Sequence, residues 1–276
     1  MPISLEKLKQ YEEFFKRKEP KFETVKFKEA REILGQDALG PEEVKNAFGI
    51  ELKPEQIPDI PYSKEDLEKA KQLGEMLVLR VDKAPDGEPL TMKKINELLI
   101  DEFEEKGKGK ILYNTDWYKN EDFFTKDTPK LEWKLVSKEP IPDSTSKDYF
   151  KQTKHLRDHL VKNGFLKETD PEYIKDEEIE KIRKLKTKQE QAKALSELPI
   201  NQKHRTIPVE DLYDLVFYFQ TTGQYLRENI YNWTSRCVSD GELVGVGHFG
   251  FGSGGAYVDR YPPDNSYSDA GVCSAR

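Results

Sequence analysis

This 276-residue chain is poor in cysteine, methionine and tryptophan, with two, three and three respectively. No apolar run approaches the ~18 residues of a membrane span, which excludes membrane insertion on sequence grounds. The opening MPISLEKLKQYEEFF has no apolar core of the secretory kind. Synthesis in the cytoplasm without a signal peptide is therefore expected, with the final location left open. Cys237 and Cys273 do not make a disulfide framework, and a bridge between them would require their strands to be neighbours. The formal net charge of -7 repels phosphate backbones, so no nucleic-acid partner is expected.

A more local absence is the most informative. From Gly245 to Ala270 the chain reads GVGHFGFGSGGAYVDRYPPDNSYSDA and contains no Lys, Glu, Gln, Met or Trp. Lys203 is the last lysine, and nine of the 17 glycines and 12 of the 30 aromatics follow it. Tyrosine supplies large, rigid contact area, while Ser, Gly and Asn supply adaptable hydrogen bonding, so this is the composition of a binding surface. Idle exposed tyrosines would be costly, because amphipathic rings favour interfaces.

The rest of the chain reads as alternating helices and strands. Residues 4–18 have the spacing of a surface helix, and residues 54–61, with three prolines, read as an extended connector. Ser63 with Asp66 predicts a capped helix ending near Gly74, and Thr91 caps another to about Glu105. Residues 76–82, 110–118 and 131–137 are strand candidates. Residues 144–196 form a Lys/Glu-rich helical insert, and the run 176–198 reads as one solvated helix or a pair, with a coiled-coil role as the alternative. Pro208 opens an amphipathic helix expected to bury Leu212, Leu215, Val216 and Phe219. Short strands follow at NWTSRCV, ELVGVGHF, GAYVDRY and AGVCSAR, with a hairpin turn at Ser239-Asp240-Gly241.

Three constellations could carry chemistry. His155 and His159 have the i, i+4 spacing of two metal ligands, but Leu156 stands where a metalloprotease helix carries Glu, so exposed polar residues are the simpler reading. Cys237 as nucleophile with His248 as base lacks any local signature. The glycines 250, 252, 254 and 255 lack the GK[ST] and βαβ context of a phosphate loop. No catalytic residue, metal or cofactor is therefore expected.

The segments VLRVDKAPDGEPLTMKKINELL (78–99), ILYNTDWYKNEDFFT (111–125) and YNWTSRCVSDGELVGVG (231–247), with GVCSAR (271–276), resemble the variable proteins of diversity-generating retroelements, in particular the group of archaea, their viruses and small-genome bacteria. The resemblance implies an α+β, C-type lectin-like fold with two main helices and short mixed or antiparallel strands over 63–276. Residues 1–62 are then an N-terminal helical addition and 144–196 an insert. It implies a non-enzymatic, receptor- or adhesin-like protein whose region of about 237–270 is diversified by adenine-directed mutagenesis. Codons kept as NNC cannot encode the five residue types absent from 245–270, and the same logic places Cys237 in the diversified set. The expected ligand-contacting residues are His248, Phe251, Tyr257, Asp259, Arg260, Tyr261, Asp264, Asn265, Tyr267 and Asp269, with Phe249 as anchor or core. Trp233, Val244, Val246, Val272 and the 208–226 helix form the scaffold beneath, so replacing the three tyrosines with alanine is expected to leave the melting temperature nearly unchanged. The partner class is a protein or cell-surface ligand, and a monomer is favoured.

The alternative from another class is a metal-dependent or formylglycine-generating-like enzyme on a related fold. That chemistry needs closely spaced cysteines, whereas Cys237 and Cys273 lie 36 positions apart. Calcium-dependent lectins carry Glu-Pro-Asn and Trp-Asn-Asp patterns; this chain has Glu88-Pro89-Leu90 and Asn232-Trp233-Thr234 instead.

Overall fold

The computed structural model describes residues 25–250 and 252–276. The expected helix over 4–18 and Phe251 lie outside the described residues. The chain is mixed α+β, with two small mixed sheets and helices between and around them. No helix among the described residues is long and apolar enough to cross a membrane.

The first sheet is built from β1 (Ala38–Leu39), β2 (Glu75–Arg80) and β3 (Glu132–Ser137), with β1 parallel and β3 antiparallel to β2. Every residue of β2 is buried, as befits a central strand covered on both faces. Before β1 comes α1 (Phe27–Leu34), and after it α2 (Pro41–Phe48). The next helix, α3 (Lys64–Leu73), starts where the sequence indicates: the Ser63 hydroxyl accepts from the Asp66 amide at 3.1 Å, and the Ser63 amide donates back to the Asp66 carboxylate at 3.0 Å. Thr91 likewise caps α4 (Met92–Glu105), accepting from the Lys94 amide at 3.1 Å.

The segment expected as a strand at 110–118 is instead a series of turns with one bridge, Leu112 to Ala256. Its polar residues compete locally with a ladder: the Asp116 amide donates to the Asn114 side chain at 2.8 Å. A short helix, α5 (Asp122–Thr125), follows. Residues 25–62 are also not a separate addition. Ala38 and Leu39 pair with β2, and Phe48 stacks on Tyr213 with centroids 4.7 Å apart, so this segment shares the main core.

The insert folds as α6 (Tyr149–Lys162), α7 (Asp176–Arg183), α8 (Lys188–Ser196) and α9 (Pro199–His204). The run 176–198 is thus a helix pair. Its few apolar residues, among them Ile179, Ala192 and Leu195, reach a second core that also takes in Trp233 and Leu243.

The second sheet has the order β6–β5–β4–β7, from β4 (Tyr231–Cys237), β5 (Leu243–Gly247), β6 (Tyr257–Tyr261) and β7 (Ala270–Gly271). The β4–β5 hairpin closes at the expected turn, where the Val238 amide donates to Glu242 O at 2.9 Å. Only two residues of the C-terminal AGVCSAR pair with β4, in parallel. The rest crosses to the first sheet and runs antiparallel along β3, with reciprocal hydrogen bonds between Leu135 and Arg276 at 3.1 and 3.0 Å. One segment therefore closes both sheets.

Between the sheets lies α10 (Pro208–Thr222). It begins at Pro208 as expected but is not amphipathic: Leu212, Tyr213, Leu215, Val216 and Phe217 are fully buried, and so are Asp211 and Asp214. A helix buried all round must find partners for its polar groups. Asp214 is met by Arg80 of β2 in a two-pronged contact of 3.1 and 2.6 Å, and Glu210 lies 3.1 Å from the same guanidinium. Asp211 lies 3.0 Å from Arg227, which adopts a left-handed backbone at φ 54°. Asn232 of β4 donates to Asp211 at 3.1 Å and to Thr206 at 3.0 Å, and its oxygen accepts from the Cys273 amide at 2.8 Å. Both cysteines are free thiols.

Two stability predictions follow from these buried groups. Arg80→Met leaves Asp214 an uncompensated buried charge and is expected to cost about 3–5 kcal/mol in urea unfolding; Asp214→Leu, which leaves Arg80 its contact with Glu210, should cost less, and the double variant recovers much of the Arg80→Met loss. Burial holds His204, which is 3% exposed, neutral down to about 4, against an ordinary value of 6.5. The unfolded imidazole takes up its proton first, so this contribution is fully present above pH 6.5 and disappears as pH falls toward 4. Over that window the wild type should lose about 3 kcal/mol more than His204→Gln, read as the difference between their unfolding curves.

Candidate ligand-binding surface

Strand register decides which side chains meet. Tyr257, Gly247, Tyr231 and Ala270 form one row across the second sheet, and Asp259, Gly245 and Trp233 form the next. Successive residues of a strand face opposite ways, so Val258, Val246 and Val244 point to the core around α10 while the tyrosine rows point away from it. The insert covers the Trp233 end of this outer face, with Tyr149 5.2 Å from Trp233. The insert leaves the Tyr257 end uncovered, and there Tyr231 is itself buried, 7% exposed, among the neighbouring rings.

Gly245 and Gly247 make a floor without side chains between the rows. At Gly247 a Cβ would stand 2.0 Å from Ile230 O, so only glycine fits; at Gly245 a Cβ would meet nothing closer than 3.6 Å. Around this floor the rings form an unbroken series. Tyr113 stacks on Tyr257 at 4.3 Å and 10°. Tyr257 lies 6.0 Å from His248, and His248 4.4 Å from Tyr231. Tyr231 lies 6.2 Å from Tyr261 in an edge contact, and Tyr261 4.3 Å from Tyr267.

His248 takes a left-handed backbone, φ 49°, directly after β5, which turns its ring back over Tyr231 and to 3.4 Å from the Asp269 carboxylate. The Tyr261 hydroxyl donates to Asp259 at 2.8 Å, and the Asn265 amide donates to the Tyr267 hydroxyl at 2.8 Å. Burial first, then Asp259 and Asp269, push the Tyr231 hydroxyl up to about 12. The Tyr261 phenol is also raised, by burial and by its bond to Asp259. The Tyr231 and Tyr261 hydroxyls thus stay protonated near neutral pH and are available as donors.

The structure brings together seven of the ten expected residues: His248, Tyr257, Asp259, Tyr261, Asn265, Tyr267 and Asp269. Arg260 is not among them. By strand alternation it faces the other side, where it pairs with Asp240 and Glu242 and lies over the Trp117 ring at 4.9 Å. Asp264 is exposed and paired with Lys188 of the insert. Phe249 is core, packed edge-on against Phe219 at 5.8 Å. Sequence reasoning missed Tyr113 and Tyr231. The two-residue alternation of Tyr231, Trp233 and Ser235 was a usable signal for Tyr231; Tyr113 reaches the site through the Leu112–Ala256 bridge, which no local pattern announces.

The chemical alternatives sit elsewhere. Cys237 and His248 lie toward opposite ends of the β4–β5 hairpin, roughly 20 Å apart at strand rise, and burial raises the Cys237 thiol to about 11. Clefts of about 570 and 590 Å³ flank Arg236, Cys237 and Ser239, lined mostly by polar side chains. His155 is half-buried and its ring nitrogen lies 2.7 Å from Pro142 O. Among the described residues, no group of three or more His, Cys, Asp or Glu side chains is placed to hold a metal.

No protein-family model matches the chain, and neither a curated protein nor a solved structure matches it. The geometry of the surface therefore carries the functional reading.

The tyrosines are not equivalent outward anchors, contrary to the sequence expectation. All three are half-buried against the second core, and Tyr261 is wedged among Tyr231, Trp233 and Tyr267. Tyr261→Ala is expected to cost about 2–3 kcal/mol, as a buried ring does. Tyr257→Ala, which loses chiefly its stacking on Tyr113, should cost about 1 kcal/mol. Thermal or urea melts of the two single variants separate these outcomes.

Proposed function

We propose that the chain is a non-enzymatic ligand-binding protein that presents a variable surface on a C-type lectin-like scaffold. The observation that carries this reading is the series of six rings, Tyr113, Tyr257, His248, Tyr231, Tyr261 and Tyr267, around a glycine floor on the outer face of the second sheet. Rigid rings with hydroxyl tips, bordered by carboxylates and small polar residues, suit adaptable recognition of a protein or cell-surface ligand. The inner face of the same sheet is held by α10 through Asn232 and the valines of β5 and β6. Side chains on the outer face can therefore vary while the inner face keeps the fold, which is what diversification by a retroelement demands. The resemblance at 78–125 and 231–276 and the NNC-compatible composition of 245–270 support the same reading.

The raised thiol of Cys237 and the complete burial of Cys273 weigh against the enzyme alternative, since a protonated thiol is a poor nucleophile.

The test lies in the gene. A near-repeat of the 3′ coding region, differing chiefly at adenines and adjacent to a reverse transcriptase, is the expected finding. Its differences should fall on codons of outer-face residues such as His248, Tyr257, Asp259 and Asp269. Differences concentrated on Val246, Val258 or Asn232 would contradict the reading, and absence of any such repeat would remove diversification from it.

A further inference from the structure

We infer that the ring-lined surface takes a cationic ligand, a basic protein segment that places an arginine side chain against the rings of Tyr257 and His248; this rests on the binding function proposed above. Asp259 and Asp269 both stand at this surface, and both act on the Tyr231 hydroxyl between them. Among the described residues, Asp259 has no Lys, Arg or His partner within salt-bridge distance, and Asp269 has only His248 at 3.4 Å. The nearby cations are committed elsewhere: Lys188 to Asp264, and Arg260 to Asp240 and Glu242 on the opposite face. The surface is therefore negative and lined by ring faces, with no cation of its own.

Each class of ligand meets this arrangement differently. An anion is repelled by both carboxylates. A neutral apolar group would strip water from Asp259 and Asp269 without replacing it. A cation gains from both the carboxylates and the rings, whose faces carry negative quadrupole charge. Guanidinium fits better than ammonium. It is planar, so it stacks on the partly exposed ring of Tyr257 or His248, and its forked donors match a carboxylate.

The experiment selects binders from a random 12-residue peptide library on the full chain, then measures affinity for synthetic peptides against the wild type, Tyr257→Ala and the shape-preserving Asp259→Asn and Asp269→Asn, with melts confirming that each variant is folded. The expected result is a set of arginine-rich peptides that lose at least tenfold in affinity on Tyr257→Ala, on either Asp→Asn change, and on replacement of arginine by its neutral isostere citrulline. Peptides that depend on Tyr257 but are neutral or acidic, or that tolerate citrulline and both Asp→Asn changes, overturn the cationic ligand and leave the binding surface standing. A selection with no Tyr257-dependent binder overturns both.

Discussion

The fold turns on one buried contact, the guanidinium of Arg80 against Asp214, with Glu210 beside it. Charges taken out of water are tolerated only where geometry and hydrogen bonding are nearly complete. This one is made between the central strand of the first sheet and a helix that must be buried on every side. It fixes both the depth and the rotation of α10. Once α10 is fixed, Asp211 is presented to Asn232 and Arg227, and Asn232 in turn holds the Cys273 amide. A single line of polar contacts thus runs from β2 through the helix to β4 and the C-terminal segment. Apolar packing alone would permit several rotations of so evenly hydrophobic a helix; the paired charges permit one.

That line also explains why the outer face of the second sheet can be chemically different from the rest of the molecule. The second sheet is held from within by α10 and at one end by the insert, so its outer rows contribute less to holding it in place. Tyr257 and Asp259 stand on the same strand as Val258, one step out of phase, and the pleat alone separates contact from core. The division is not complete. Tyr261 belongs to both sides, because Trp233 needs its cover.

Local chemistry was readable in the sequence, and long-range chemistry was not. The capping box at Ser63, the cap at Thr91, the strands β2 and β3 and the Ser239–Gly241 hairpin all rest on neighbours within a few residues. Seven of the ten expected site residues fall together on one face for a similar reason, since they come from one stretch and its composition marked them. The failures share a cause. The helix from Pro208 read as amphipathic because the buried partners of Asp211 and Asp214, Arg227 and Arg80, carry no local mark, the second lying 134 positions from Asp214. Arg260 was grouped with its neighbours although strand alternation turns it to the other side. Residues 25–62 read as an addition because nothing near Ala38 announces its pairing with Leu77. The strand expected at 110–118 failed to local competition, which composition alone does not rank.

The segment that closes both sheets has a consequence for how the chain reaches this structure. Ser137 and Ser274, whose hydroxyls meet at 2.8 Å, are 137 positions apart, and β4 finds β7 in parallel only across the whole glycine- and tyrosine-rich stretch. Contacts of such separation must be assembled before they return any stabilisation, and chains dominated by them fold slowly. Until that closure the edges of β3 and β4 stay open, and the stretch between β6 and β7 is an unanchored loop. Sequence changes within 248–269 would thus act on the time the chain spends with open edges as well as on what the finished surface touches. A lineage that varied these residues freely would be filtered by folding rate and aggregation before it was filtered by affinity.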